Sequence, residues 1–216
     1  MKRILCYGDS NTWGYDPDSG LRYDEKTRYT KVLAALLGQN YEVIEEGLPG
    51  RTSAYDTDVD AFVNGRTYLY PCLSSHTPLD LIIIMLGSND LSTGGKVNAY
   101  YAAAGVERLV NLIRHWSIDQ KTACPKILIV SPPLLCDHPV QHEWQEFMTY
   151  VFDFPRCQQE SKHFRRHYQD VANTRDCGFL AAEDYTKTGS DGVHLTRESH
   201  ANLAKALHEK VKAMIG

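Results

Sequence analysis

The chain has 216 residues, of which 43% are hydrophobic and 23% charged, with a formal net charge of −4. That length fits one sizeable α/β domain, and the balance is that of an ordinary globular protein. The acidic charge and the lack of any basic cluster interleaved with aromatics argue against a nucleic-acid binder, and the longest apolar run, Leu81–Leu86, falls far short of the ~20 residues of a membrane helix.

In chain order, Met1-Lys2-Arg3 leads into Ile4–Tyr7. This stretch is shorter than the ~7–15 apolar residues of a signal-peptide core, so a cytoplasmic enzyme is expected. Without an export signal, the six cysteines read as free thiols rather than as a disulfide framework. Apolar runs then alternate with longer amphipathic stretches, the pattern of a parallel sheet wrapped by helices. Strands are expected at Arg3–Tyr7, Tyr41–Glu45, Asp80–Leu86 and Lys126–Ser131, with a weaker one near Gly178–Ala181. Three of them are nearly continuous in aliphatic residues, as befits strands buried on both faces.

The helical patterns lie between these strands. Tyr29–Leu37 offers Val32, Leu33, Leu36 and Leu37 to one face, with Gly38 as a stop signal. Val97–Trp116 carries Val106, Leu109, Val110 and Ile113 at helical spacing. A last helix is expected from Arg197 to Met214, capped by Thr196, with Leu203, Leu207 and Val211 as its inner stripe. Repeats, low-complexity tracts and Pro- or Gly-rich linkers are absent, so residues 1–216 are expected to form a single domain. The least regular stretch, Pro132 to Pro155, begins just after a strand and is rich in proline and aromatics. Loops at strand C-termini are where open α/β sheets hold ligands, so this stretch is a candidate wall of a site; surface decoration is an equal reading.

Three strand ends or pre-helix turns carry polar residues suited to chemistry. Gly8-Asp9-Ser10-Asn11 follows the first strand and would project Ser10 into the crevice. Gly87-Ser88-Asn89-Asp90 follows the third, and Asn89 could aim its amide at an oxyanion. Asp191-Gly192-Val193-His194 precedes the last helix. A serine hydroxyl is a poor nucleophile at neutral pH and needs a base within hydrogen-bond reach. His194 titrates in the right range, and Asp191, three residues away across a turn, can fix its tautomer. Taken singly, each block also reads as a plain turn or helix start. The repetition of strand, glycine and polar residue makes chance turns less convincing.

In order and content these blocks resemble the SGNH (GDSL-like) hydrolase superfamily, in which Ser, Gly, Asn and His each come from a separate block. The resemblance covers essentially the whole chain and is nearest the bacterial arylesterase/acyltransferase branch, through Arg3–Ser10, Val43–Leu48, Leu81–Gly87 and Trp13-Gly14. It implies a flavodoxin-like three-layer α/β/α fold with five parallel strands. It also implies Ser10, Asp191 and His194 as a catalytic triad, no cofactor, a small-molecule ester substrate, an acyl-enzyme and possible acyl transfer. In the oxyanion hole the Ser10 N–H and Asn89 would be joined by a glycine. The Gly-Xaa-Thr end of Glu46-Gly47-Leu48-Pro49-Gly50-Arg51-Thr52 matches that role to Gly50, with Gly47 as second choice. Trp13, Leu48 and Val193 are the expected substrate-binding residues. Asn11 stands where many relatives have leucine and is expected to leave the catalytic roles untouched. Residues 137–157 match nothing in the family pattern and are expected to shape the acyl or alcohol pocket.

Competing constellations are weaker. Cys136, His138 and His142, or His163 and His167 at i, i+4, invite a metal, but neither set has a paired-cysteine or His-Glu-Xaa-Xaa-His frame, so no metal site is expected. The chain has no glycine-rich phosphate loop and no Gly-Xaa-Ser-Xaa-Gly elbow. The alternatives to a small-ester or aryl esterase are a carbohydrate O-deacetylase on the same machinery and a catalytically silent acyl- or carbohydrate-binding module. An aromatic-rich stretch at Trp144, Phe147, Tyr150, Phe152 and Phe154 suggests a homo-oligomer.

Overall fold

The computed structural model describes residues 1–57, 62–92, 97–136 and 153–216. Five strands form one sheet in the order β2-β1-β3-β4-β5: β1 (Lys2–Gly8), β2 (Tyr41–Gly47), β3 (Leu81–Met85), β4 (Lys126–Ser131) and β5 (Gly178–Ala181). Every neighbouring pair is parallel. This is the flavodoxin-like order, and the chain reverses its direction of winding beside β1.

The central strands are apolar on both faces, and the period of two sorts their side chains into two cores. Leu5, Tyr7, Ile82, Ile84, Ile127 and Ile129 enter one core; Ile4, Cys6, Leu81, Ile83, Leu128 and Val130 enter the other. Against the first pack α3 (Gly65–His76), α4 (Ala99–Asp119) and α6 (Phe164–Thr174), through Leu69, Leu109, Ile113, Phe164 and Tyr168. Against the second pack α2 (Tyr29–Leu37) and α7 (Arg197–Ile215), through Leu33, Leu203, Leu207 and Val211. Two shorter helices, α1 (Ser10–Trp13) and α5 (Phe154–Ser161), lie on the C-terminal side of β1 and before α6.

The expected helices form with small shifts. In α2 the inward stripe is Tyr29, Leu33 and Leu37 at i, i+4, i+8, while Leu36 is exposed, because the buried arc runs one position earlier than a Val32–Leu37 reading places it. Thr196 caps α7 as expected, its hydroxyl accepting from the Ser199 N–H at 3.1 Å. Residues 137–152, including Trp144, Phe147, Tyr150 and Phe152 of the aromatic stretch, lie outside the described residues.

Candidate active site

The parallel register brings the ends of β1, β2 and β3 side by side, with Gly8 opposite both Gly47 and Met85. The loops that follow these three strands therefore open into one crevice, at the point where the winding reverses. Asp9 caps α1, its carboxylate accepting the Asn11 N–H at 2.9 Å. Ser10 is the first residue of that helix, and first-turn N–H groups have no intrahelical partner. Gly14, in the left-handed region, ends the helix after one turn.

Ser10 Oγ lies 2.8 Å from His194 Nε2, and His194 Nδ1 lies 2.5 Å from Asp191 Oδ2. The network assigns the imidazole hydrogen to Nδ1, which donates to Asp191 and leaves Nε2 to accept from the Ser10 hydroxyl. Asp191 Oδ1 in turn accepts the N–H groups of Val193 and His194, each at 2.9 Å. Burial pushes the Asp191 carboxyl up, but the hydrogen bond and charge of His194, with these two N–H groups, hold it below the usual carboxylate range. Asp191 is thus fixed as an anion beside the imidazole. The Tyr15 ring lies over His194 with centroids 4.1 Å apart.

Asn89 sits in a short 3-10 turn after β3, and its Nδ2 donates to the Arg51 carbonyl at 3.1 Å. Arg51 itself is buried, donates from Nη1 to the Gly8 carbonyl at 3.0 Å and to the Glu46 carbonyl, and stacks on Tyr7. One guanidinium and one amide therefore lace the three loops together. Asp90 reinforces them: it is fully buried and accepts from the Ser53 hydroxyl and the Ser53 N–H. Burial pushes Asp90 up to about 7 and Asp9 up to about 6, each against hydrogen bonds that pull the other way.

The two candidate glycines differ in kind. A Cβ on Gly47 would fall 2.1 Å from the Trp13 nitrogen, so glycine there permits the close approach of β2 to α1. Gly50 is exposed, has φ 79° and turns the chain into Arg51, beside the crevice. Trp13 and Leu48 are half-buried at the same edge; Arg22 covers the Trp13 ring and donates to its carbonyl, and the Leu48 N–H donates to the Gly8 carbonyl. Val193 is different, because its side chain packs into the core while its N–H donates to Asp191. Asn11 reaches the same segment. Its Oδ1 accepts the Leu195 N–H at 2.9 Å and its Nδ2 donates to the Val193 carbonyl at 3.4 Å, so it grips the residues on either side of His194.

Of the metal candidates in the sequence, His163 stands just before α6 without a side-chain capping bond and His167 meets Tyr100 edge-on, while the Cys136 N–H donates to the Gly192 carbonyl. His138 and His142 lie outside the described residues. The structure instead gathers Glu46, Cys72 and His76, with ligand atoms within 4.8 Å of one another. Sequence reading missed this trio because it joins β2 to α3, a helix the periodicity does not reveal. Glu46 and His76 already pair at 2.8 Å. No helix among the described residues is long and apolar enough to cross a membrane.

The model of the GDSL-like lipase/acylhydrolase family matches residues 6–201. A solved carbohydrate acetylesterase family member from Sinorhizobium meliloti is 40% identical over 100% of both chains, with a TM-score of 0.90. The native aryl esterase of M. smegmatis is 38% identical over 100% of both chains, also with a TM-score of 0.90. A lipase/acylhydrolase from Enterococcus faecalis, 17% identical with a TM-score of 0.62 over 99% of this chain and 96% of its own, shares the fold. No curated protein matches. With its parallel five-stranded sheet and its blocks after β1, β2 and β3 and before α7, the chain belongs to the GDSL-like lipase/acylhydrolase family, among the SGNH-type serine hydrolases of carboxylic esters.

Proposed function

We propose that Ser10, His194 and Asp191 are the catalytic triad of an esterase acting on small or aryl carboxylic esters through an acyl-enzyme. The observation that carries this reading is the unbroken chain Ser10 Oγ, His194 Nε2, His194 Nδ1, Asp191 Oδ2, at 2.8 and 2.5 Å. His194 takes the hydroxyl proton as Ser10 Oγ attacks the ester carbonyl carbon, and the anionic Asp191 stabilises the imidazolium that forms. The tetrahedral oxyanion is held by the Ser10 and Gly50 N–H groups and by the Asn89 amide. Collapse breaks the carbon–oxygen bond of the leaving alcohol, which receives the proton from His194; water, activated by the same imidazole, then releases the acid. A second alcohol in place of water would give acyl transfer. No step calls for a cofactor. Trp13, Leu48 and the Val193 backbone are assigned to the substrate walls, with residues 137–157 shaping the pocket.

A carbohydrate O-deacetylase is the second reading, supported by the 40% identity to the acetylesterase family member from Sinorhizobium meliloti. A silent binding module is disfavoured, since a serine held by a carboxylate-backed imidazole serves no binding purpose. We further propose that residues 1–216 act as one catalytic domain, that the enzyme is cytoplasmic, where six free thiols would stay reduced, and that it works as a homo-oligomer.

The test is a panel of p-nitrophenyl esters and acetylated sugars, run on wild type and Ser10→Ala, with a serine-directed phosphonate as probe. Turnover of p-nitrophenyl acetate should vanish in Ser10→Ala, and the phosphonate should add one mass increment on the Ser10 peptide. Labelling at another serine, or full turnover by Ser10→Ala, would overturn the triad. Turnover confined to acetylated sugars would select the second reading.

A further inference from the structure

We propose that Asn11 is a positioning residue, which sets the register of the general base on the nucleophile. The inference rests on the triad reading above. Asn11 is adjacent to Ser10, is 1% exposed and has its backbone N–H fixed by Asp9. Its carboxamide then reaches across to the segment before α7, accepting the Leu195 N–H and donating to the Val193 carbonyl at 2.9 and 3.4 Å.

The fit has a simple geometric basis. Val193 and His194 lie in a bend, with the Val193 C=O on one flank of His194 and the Leu195 N–H on the other. A carboxamide carries one acceptor and one donor and can bond both. Asn11 therefore holds the backbone on either side of His194, whose ring reaches Ser10 Oγ at 2.8 Å. Other contacts steady the segment from behind: Gly189 N–H donates to the His194 carbonyl at 2.7 Å, and the Val193 side chain sits in the core. Among the described residues, Asn11 is the side chain that ties both flanks of His194 to the residue next to the nucleophile. A leucine of similar size fills the space and does neither, leaving the Leu195 N–H without its partner.

The experiment compares wild type, Asn11→Leu and Ser10→Ala, well below the melting temperature of each. A base displaced by an ångström loses on the order of 10²-fold in rate, so kcat for p-nitrophenyl acetate should fall about 10- to 100-fold in Asn11→Leu. KM should stay within about three-fold, since substrate groups are not touched. Phosphonate inactivation should slow by the same factor as kcat, because it needs the same activated serine, while inhibition by the carboxylate product is unchanged. A role in folding alone would lower the melting temperature and leave kcat intact. Should Asn11→Leu not fold, Asn11→Asp keeps the acceptor for Leu195 and loses the donor to Val193, and its kcat should fall below wild type in the same pattern. Wild-type kcat in the folded variant, or a loss confined to KM, would overturn the proposal. Full turnover in Ser10→Ala would instead bring down the triad reading on which it depends.

Discussion

An amide carries two hydrogens, and Asn89 commits one of them to the Arg51 carbonyl at 3.1 Å. That bond fixes the side-chain plane, so the second hydrogen can be aimed before substrate arrives, which is what makes a donor effective in a transition state. Asn89→Ala should lower kcat by ~10²–10³ and leave KM nearly unchanged, measured on p-nitrophenyl acetate. An equal loss seen in KM alone would make Asn89 a ground-state contact instead. At this scale the sequence was informative for residues whose chemistry is rare, such as a serine, an asparagine and an Asp-Xaa-Xaa-His step after strand ends. It did not reveal what Asn11 bonds, because its partners lie 182 and 184 positions away in the chain, across a contact that no local pattern encodes. It ranked Gly50 above Gly47 by the match to a Gly-Xaa-Thr end alone; the distance of 2.1 Å from a Gly47 Cβ to the Trp13 backbone gives Gly47 a packing reason that only coordinates supply.

Elements were legible in proportion to how fully they are buried. The strands β4 and β5 fall on the expected residues, and β1 to β3 within two residues at either end, because an aliphatic run bounded by turns has few other readings. α3 was not anticipated: Pro71 sits inside it beside Tyr68 and Tyr70, and its inward stripe is only Leu69, Cys72 and Leu73. α6 was visible only as a histidine pair, since its stripe is reduced to Phe164, Tyr168 and Ala172 among charged residues. α7 carries a titration with a consequence for stability. His200, in its first turn, is wedged between Tyr23 and Tyr29 and accepts the Tyr29 N–H. Burial, helped by the charges of His194, Arg197 and Arg28, pulls it down to about 3. A depressed value favours the neutral form in the fold, so this stability is complete above the ordinary histidine value near 6.5 and is lost as pH falls toward 3. Buried Asp90 and Asp9 act in reverse, stabilising the fold at low pH and losing that contribution as pH rises through about 7 and 6. The isolated histidine effect is the difference in unfolding free energy between wild type and His200→Phe. It should shrink by roughly 1–2 kcal/mol between pH 7 and pH 5 in urea titrations; a difference independent of pH would mean that His200 titrates as if exposed.

At the scale of the whole molecule, the α3–α4 side of the sheet leaves Tyr68, Tyr70, Tyr100 and Tyr101 exposed. Between α3 and α4 runs a groove of about 410 Å³, lined by Tyr70 and Trp116 with Arg66, Arg108 and Asp119 at its edge. Tyrosines present an apolar body and a polar tip, the residue type enriched where protein surfaces meet. Arginine and aspartate on one patch also allow the patch to pair with itself across a two-fold axis, the commonest symmetry of soluble oligomers. The aromatic stretch from Trp144 to Phe154 lies mostly outside the described residues, and this second patch supports the same proposal independently. A stable dimer needs about 800 Å² buried per subunit, more than the groove alone, and the tyrosines around it extend the surface toward that size. Light scattering at micromolar protein should return a multiple of the 24.4 kDa chain mass. The double variant Tyr70→Glu, Tyr101→Glu places two like charges on the symmetric patch and should drive the mass to that of a single chain, while circular dichroism stays native. A wild-type mass of one chain would remove the assembly proposal, and an oligomer that survives both charges would move its interface off the α3–α4 face.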